Sequence, residues 1–264
     1  MDLKLIGVGY TAKVYEYYND RVLKLFKEGY PKSYIEHEFS NSLKVNELVF
    51  NKIKSYELIS YEKQYGIVYD KAIGINLLDW VLSNMDGKSA GIIMADEHNN
   101  ILKNSSNSFY QIVFKLKKDV EESYLLEESQ KKLLSSIIAS LPVGNTVCHG
   151  DLHPGNIIIG DKNYVIDYMN ICIGHPHYDI ARTVYLTEMT PMPDLGEKTE
   201  ELSQLRNYLI DNYLERISNL RGESITRESL KNWFLAIAGS RLTEIDTESE
   251  RNNLKRYLVN MGIV

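Results

Sequence analysis

Residues 149–156 read His149-Gly150-Asp151-Leu152-His153-Pro154-Gly155-Asn156, which fits the spacing His-x-Asp-x-x-x-x-Asn. Gly150, Pro154 and Gly155 break regular structure, so this stretch is expected to be a loop. Ile157-Ile158-Ile159, a turn at Gly160-Asp161 and Tyr164-Val165-Ile166 then read as a small hairpin, with Asp167 at its far end. The hairpin's return is expected to bring Asp151, Asn156 and Asp167 together. Two carboxylates and an amide oxygen on one spot suit Mg²⁺, a hard ion that takes oxygen ligands and keeps several waters. A rival use of the same loop is a metallohydrolase site, with His149, Asp151 and His153 on a transition metal. That use leaves Asn156 and Asp167 without a role.

This segment resembles the catalytic loop and metal-binding segment of the aminoglycoside phosphotransferase and choline kinase-like family, relatives of the protein kinases. The run Gly174-His175-Pro176-His177-Tyr178-Asp179-Ile180-Ala181-Arg182 is similar to that family's Gly-x-Pro-x-x-Asp-Leu-Ala stretch. The resemblance implies that Asp151 orients or deprotonates the acceptor hydroxyl and that His149 organises the loop. It makes Asn156 and Asp167 the metal ligands. Asp179 would be structural, tying the helix that follows to the loop.

Two features upstream fit the same plan. Gly7-Val8-Gly9-Tyr10-Thr11-Ala12-Lys13-Val14 is a Gly-x-Gly-x-x-Ala-x-Val turn between strands. Glycines there allow a tight turn and close approach of backbone N–H groups to phosphate oxygens. A strand rather than a helix follows, so this is no dinucleotide fingerprint, and it lacks the Gly-Lys-Ser/Thr of a Walker loop. Ala12 stands where the protein-kinase loop has its third glycine. Then Val22-Leu23-Lys24-Leu25-Phe26 sets one lysine inside an apolar strand, where an ammonium needs a partner. In kinase folds this lysine contacts the nucleotide phosphates and pairs with a glutamate on the next helix. The candidates are Glu38 and Glu36. If Ile35, Phe39, Leu43 and Val49 mark the buried face, Glu38 lies roughly 60° and Glu36 roughly 100° around the axis from Ile35. Glu36 also has a second use, in a capping box with Ser33. Both points favour Glu38.

The elements needed to position these residues follow in order. Residues 3–8, 13–18 and 21–26 read as strands, a helix follows from Pro31, and 57–61 and 66–71 read as two more strands. Helical periodicity dominates at 77–85, 92–102, 109–120 and 129–141, and again at 179–187, 200–220, 226–238 and 249–261. The expected fold is α+β and bilobal, protein kinase-like. An N-terminal ATP-binding lobe would cover residues 1–72, and a mainly helical lobe with the catalytic loop and acceptor pocket residues 73–264.

Composition narrows the partners. A formal charge of −6 with no dense Lys/Arg block argues against nucleic acid. No segment approaches the apolar length of a membrane span, and the N-terminus does not read as a signal peptide. Cys148 and Cys172 are expected to be reduced thiols of a cytoplasmic protein.

The resemblance therefore implies an enzyme that moves the γ-phosphate of ATP, or GTP, to a hydroxyl of a small molecule. The adenine edge would meet backbone at Tyr69, Asp70 and Lys71, with Gly7, Gly9 and Ala12 over the phosphates. Lys24, paired with Glu38, would hold the phosphates, and Asn156 and Asp167 the Mg²⁺. Residues 179–250 hold 14 acidic and 8 basic side chains, which would suit a cationic acceptor such as an aminoglycoside or amino alcohol. No Ala-Pro-Glu follows Asp167, which argues against a protein substrate. The alternatives are a catalytically silent nucleotide-binding module and the metal-dependent hydrolase.

Overall fold

A computed structural model describes residues 3–18, 20–189, 197–245 and 248–263. Five strands form one antiparallel sheet in the order β1-β2-β3-β5-β4: β1 (Leu5–Val8), β2 (Ala12–Tyr17), β3 (Arg21–Phe26), β4 (Ser55–Tyr61) and β5 (Gln64–Asp70). Side chains alternate faces along a strand. In β3, Leu23 and Leu25 therefore point one way and pack with Val68, Tyr15 and Ile59. Val22, Lys24 and Phe26 point the other way. Both faces of this central strand are largely covered, and Lys24 goes in with its apolar neighbours.

Helix α1 (Lys32–Val45) begins earlier than a Ser33 cap would place it. Pro31 is the cap, at φ −61°, and offers no side-chain bond. Proline's fixed φ suits a helix start, and Tyr34 N–H closes the first turn on the Pro31 carbonyl at 3.1 Å. Ser33 lies inside the helix, and Glu36 pairs with Lys32 one turn back at 3.0 Å. The buried face also differs from the apolar reading. It comprises Ile35, Glu38, Asn41, Ser42 and Val45, whereas Leu43 is exposed and Val49 lies past the helix end. Glu38 is turned inward because Lys24 needs a counter-charge there, while Ser42 meets the Tyr69 hydroxyl and Asn41 the Met169 carbonyl.

Beyond the sheet, β6 (Ile75–Asn76) pairs with β8 (Ile157–Ile159), which pairs with β9 (Tyr164–Val165). Gly74 and Gly160 make this crossing possible: a Cβ on Gly74 would lie 2.2 Å from the Ile159 carbonyl oxygen, and one on Gly160 2.3 Å from that of Ile73. This pairing groups residues 154–171 with residues 1–83 as one compact unit.

The second unit comprises residues 84–153 and 172–264. It contains α3 (Gly87–Leu102), α4 (Ile112–Glu122), α5 (Glu128–Ser140), β7 (Thr146–Cys148), β10 (Cys172–Gly174), α6 (Pro176–Met189), α7 (Glu197–Arg221), α8 (Lys231–Arg241) and α9 (Glu248–Asn260). A short helix α2 (Leu77–Asn84) precedes them. Glycines 87 and 91 of α3 let α7 approach its backbone closely. Strands β7 and β10 set Cys148 opposite Cys172, both buried and free. Helix α8 starts later than its sequence periodicity suggests. Thr226 and Ser229 exchange backbone-to-hydroxyl bonds of 2.9 and 3.1 Å, which makes a turn before the helix. Among the described residues no helix is long and apolar enough to cross a membrane.

Candidate active site

The first unit contains a cluster centred on Lys24. Its Nζ donates to Glu38 Oε1 at 2.7 Å and to Asp167 Oδ1 at 3.2 Å. Glu36 makes no part of this; Glu38 is 2% exposed and is the partner. Burial alone would lower the Lys24 ammonium, but the Asp167 and Glu38 carboxylates outweigh it and the pKa is raised. Burial lifts the Glu38 carboxyl, with Lys24 pulling the other way. Tyr69 donates its hydroxyl to Glu38 Oε1 at 3.0 Å, and Ser42 lies 3.1 Å from that hydroxyl. The Tyr69 side chain is thus a brace for Glu38, a role its place at the strand end did not suggest.

Asp167 sits just past β9 with φ +68°, a left-handed conformation that Asp tolerates better than most residues. The Ile166 N–H bonds the Asn156 carbonyl at 3.0 Å, so the hairpin closes with Asn156 and Asp167 at adjoining ends. Two side chains hold these ends. Asn41 Nδ2 donates to the Met169 carbonyl at 3.3 Å, and Asn76 Nδ2 to the Gly155 carbonyl at 2.6 Å. Asn76 Oδ1 also accepts from Leu78 N–H at 2.9 Å, and a lone Asn before an apolar helix start is the sequence signal for that cap. A carboxylate and an amide oxygen on one hairpin fit a hard divalent cation such as Mg²⁺.

The turn from Gly7 to Ala12 is closed by Gly9 N–H on the Ala12 carbonyl at 2.8 Å. Neither Gly7 nor Gly9 has a positive φ, so what these glycines contribute is bare backbone. Ala12 is buried and pairs with Phe26. At the other end of the sheet, Asp70 N–H bonds the Lys54 carbonyl at 2.9 Å and Lys71 N–H the Asp20 carbonyl at 3.0 Å. The Asp70 carboxylate takes Arg21 and the Tyr56 hydroxyl, each at 2.8 Å, and Lys71 pairs with Glu16 at 2.7 Å.

In the second unit, β7 leads into the loop bearing His149 and Asp151. His149 and Asp179 are fully buried. The Asp179 carboxylate accepts from His149 N–H at 2.6 Å and Gly150 N–H at 2.8 Å. It also contacts His98 Nε2 at 2.9 Å, and the other nitrogen of that ring lies 2.6 Å from the Tyr213 hydroxyl. Burial raises the Asp179 carboxyl, but His98 and the loop N–H groups outweigh it, so its pKa is lowered. Gly150, at φ +77°, turns the chain so that Asp151 N–H can reach His149 Nδ1 at 3.3 Å. His149 is thereby engaged in holding the loop. Among the described residues no three His, Cys, Asp or Glu side chains are grouped to hold a metal.

One further charged group lies in this unit. Glu244 contacts Arg182 at 3.1 Å, Lys115 at 3.0 Å and Arg241 at 3.5 Å. Burial would raise its carboxyl, but the three cations bring its pKa down from the usual 4.5 to about 2. A carboxylate lowered on folding stabilises the fold above its unfolded pKa and loses that contribution as pH falls. As pH falls from 4.5 toward about 2 this contribution should be lost, its size reduced by solvent screening of a carboxylate that is still 29% exposed. Thermal melting followed against pH should show this slope in the wild type and a flatter one in Glu244→Gln.

Residues 111–211, which span the loop and α6, match the model of the phosphotransferase enzyme family. Comparison with curated protein sequences finds no match. Among solved structures, an aminoglycoside phosphotransferase from Streptomyces rimosus superimposes at a TM-score of 0.56 and 16% identity, covering 90% of this chain and 92% of that one. The ternary complex of a further aminoglycoside phosphotransferase with streptomycin and ATP gives 0.59 at 12% identity, covering 98% and 91%. A macrolide 2'-phosphotransferase from Brachybacterium faecium gives 0.53 at 12%, covering 96% and 90%. At such identities the likeness establishes the fold, the α+β kinase-like arrangement of a five-stranded antiparallel sheet followed by a mainly helical remainder.

Proposed function

We propose that this chain, a phosphotransferase by the family that residues 111–211 match, moves the γ-phosphate of ATP or GTP to a hydroxyl of a small molecule. The observation that carries this reading is the Lys24, Glu38 and Asp167 cluster. It joins the strand lysine, the helix glutamate and the hairpin aspartate, each in the place a kinase fold uses. Phosphoryl transfer asks a protein mainly for positioning and charge neutralisation. Lys24 holds the phosphates, and the bare backbone of Gly7 and Gly9, with Ala12 closing the turn, lies over them. Asn156 and Asp167 hold Mg²⁺, which supplies charge neutralisation on the transferring phosphoryl group when bound. Asp151 orients the acceptor hydroxyl and takes its proton, and His149 keeps Asp151 in place through the loop. The amide N–H groups of Asp70 and Lys71 are already engaged. A purine edge at Tyr69, Asp70 and Lys71 would therefore use carbonyl oxygens, with Ala72 the first residue beyond those bonds.

A small-molecule hydroxyl is the acceptor class, and the neighbours' aminoglycoside and macrolide names support it. The acidic excess of residues 179–250 lends less support to a cationic acceptor than the raw count suggests. Asp179, Glu188, Asp211, Glu223 and Glu244 all sit in ion pairs within their own unit. The protein is proposed to work in the cytoplasm.

Nucleotide titration with and without Mg²⁺ tests the site. In Asp167→Asn the wild type's gain in ATP affinity on adding Mg²⁺ should largely vanish, while metal-free binding persists. An unchanged Mg²⁺ response would remove Asp167 as a ligand.

A further inference from the structure

The peptide between Gly150 and Asp151 is fixed at both ends. Its N–H goes to His149 Nδ1 at 3.3 Å, and its carbonyl accepts from Arg182 Nε at 2.7 Å. Arg182 is 5% exposed, so its guanidinium needs an anion of its own. Asp179, three residues before it on α6, is already committed to the loop N–H groups and His98. Glu244, just past α8, supplies the anion at 3.1 Å. Lys115 of α4 bonds the same carboxylate and also Asp119, which in turn accepts from the Ser240 hydroxyl of α8. The cluster therefore ties three helices to one carbonyl beside Asp151. Neither the nucleotide nor the metal role uses it.

We infer that Arg182 and Glu244 are positioning residues for Asp151: Glu244 fixes the guanidinium, and the guanidinium fixes the carbonyl from which Asp151 projects. The catalytic consequence rests on the phosphotransferase reading, whereas the mechanical one does not. Losing the brace should leave the Asp179 bonds in place and let the loop wander by fractions of an ångström, enough to slow an in-line transfer. Lysine at 182 lacks the planar fork and cannot serve both the carbonyl and Glu244.

The experiment uses the full chain as Arg182→Lys, Glu244→Gln and the double variant, each checked by thermal melting. For each, Mg·ATP affinity, kcat and nucleotide KM are measured, together with hydrogen exchange of the amides at residues 149–151. Expected are kcat values about 10- to 100-fold lower with nucleotide KM unchanged, and exchange about tenfold faster at the Asp151 amide, while the Asp179-bonded amides of His149 and Gly150 stay protected. The double variant should be no worse than Arg182→Lys alone. Unchanged exchange in the folded variants, or kcat and KM moving together, would overturn the inference. If Arg182→Lys does not fold, Glu244→Gln decides, because Gln keeps an acceptor oxygen. If the wild type transfers no phosphate to any acceptor, the functional reading fails, and the exchange result alone decides the brace.

Discussion

Replacing Asp151 by Ala should lower phosphoryl transfer by about 10²–10⁴-fold, the usual contribution of a positioned general base. Mg·ATP affinity should stay close to that of the wild type, because the groups assigned to the nucleotide and metal lie elsewhere. The loop itself should survive the change. Asp179 holds the N–H groups of His149 and Gly150, and Arg182 holds the Gly150 carbonyl. The Asp151 side chain takes part in none of these bonds. Asp151→Asn is the stricter variant, since it keeps the shape and loses only the basicity. Turnover near the wild-type rate in either variant would remove Asp151 from the mechanism.

Lys24→Met should fail in two separable ways. Glu38, 2% exposed, would lose its cation while staying buried, a change that typically costs about 3–5 kcal/mol. Turnover should drop by about 10²–10³-fold, as for loss of one preorganised electrostatic contact to a developing charge. Adding Glu38→Gln to Lys24→Met should recover most of the stability and none of the turnover. Recovery of both would mean that Lys24 serves the fold alone. The pH sign follows from the raised pKa of Lys24. Its stabilisation is complete below pH 10.5, the usual lysine value, and is lost only as pH climbs through the raised one. This contribution should therefore be flat across neutral pH, whereas that of Glu244 declines in acid.

What the sequence made legible follows from locality and from the cost of burial. The strand lysine announced a partner because a buried ammonium must have one, and helix geometry preferred Glu38 over Glu36. The face of α1 was misread all the same. Its inward side carries Glu38, Asn41 and Ser42, and apolar periodicity cannot register a polar face built around a buried charge. The hairpin at residues 157–165 was legible from its isoleucines and its turn. Its partner β6 was not, because two residues carry no period and its signal is the fit of Gly74 against Ile159. Long-range ion pairs were equally silent. Arg182 stood inside a motif-like run, yet nothing local says that Glu244, 62 positions on, would meet it. The same holds for His98 and Asp179, 81 positions apart. Tyr69 was read for its backbone, and its hydroxyl became the brace of Glu38 because β5 and α1 pack face to face.

The measurement that tests the central claim most directly is Mg²⁺-dependent transfer of γ-labelled phosphate from ATP and from GTP. The acceptor panel would comprise aminoglycosides, macrolides, choline, ethanolamine, homoserine and simple sugars. The account predicts label on a hydroxyl of at least one acceptor, lowered by about 10²–10⁴-fold in Asp151→Ala and abolished by chelating Mg²⁺. A wild-type chain that binds neither nucleotide would contradict it.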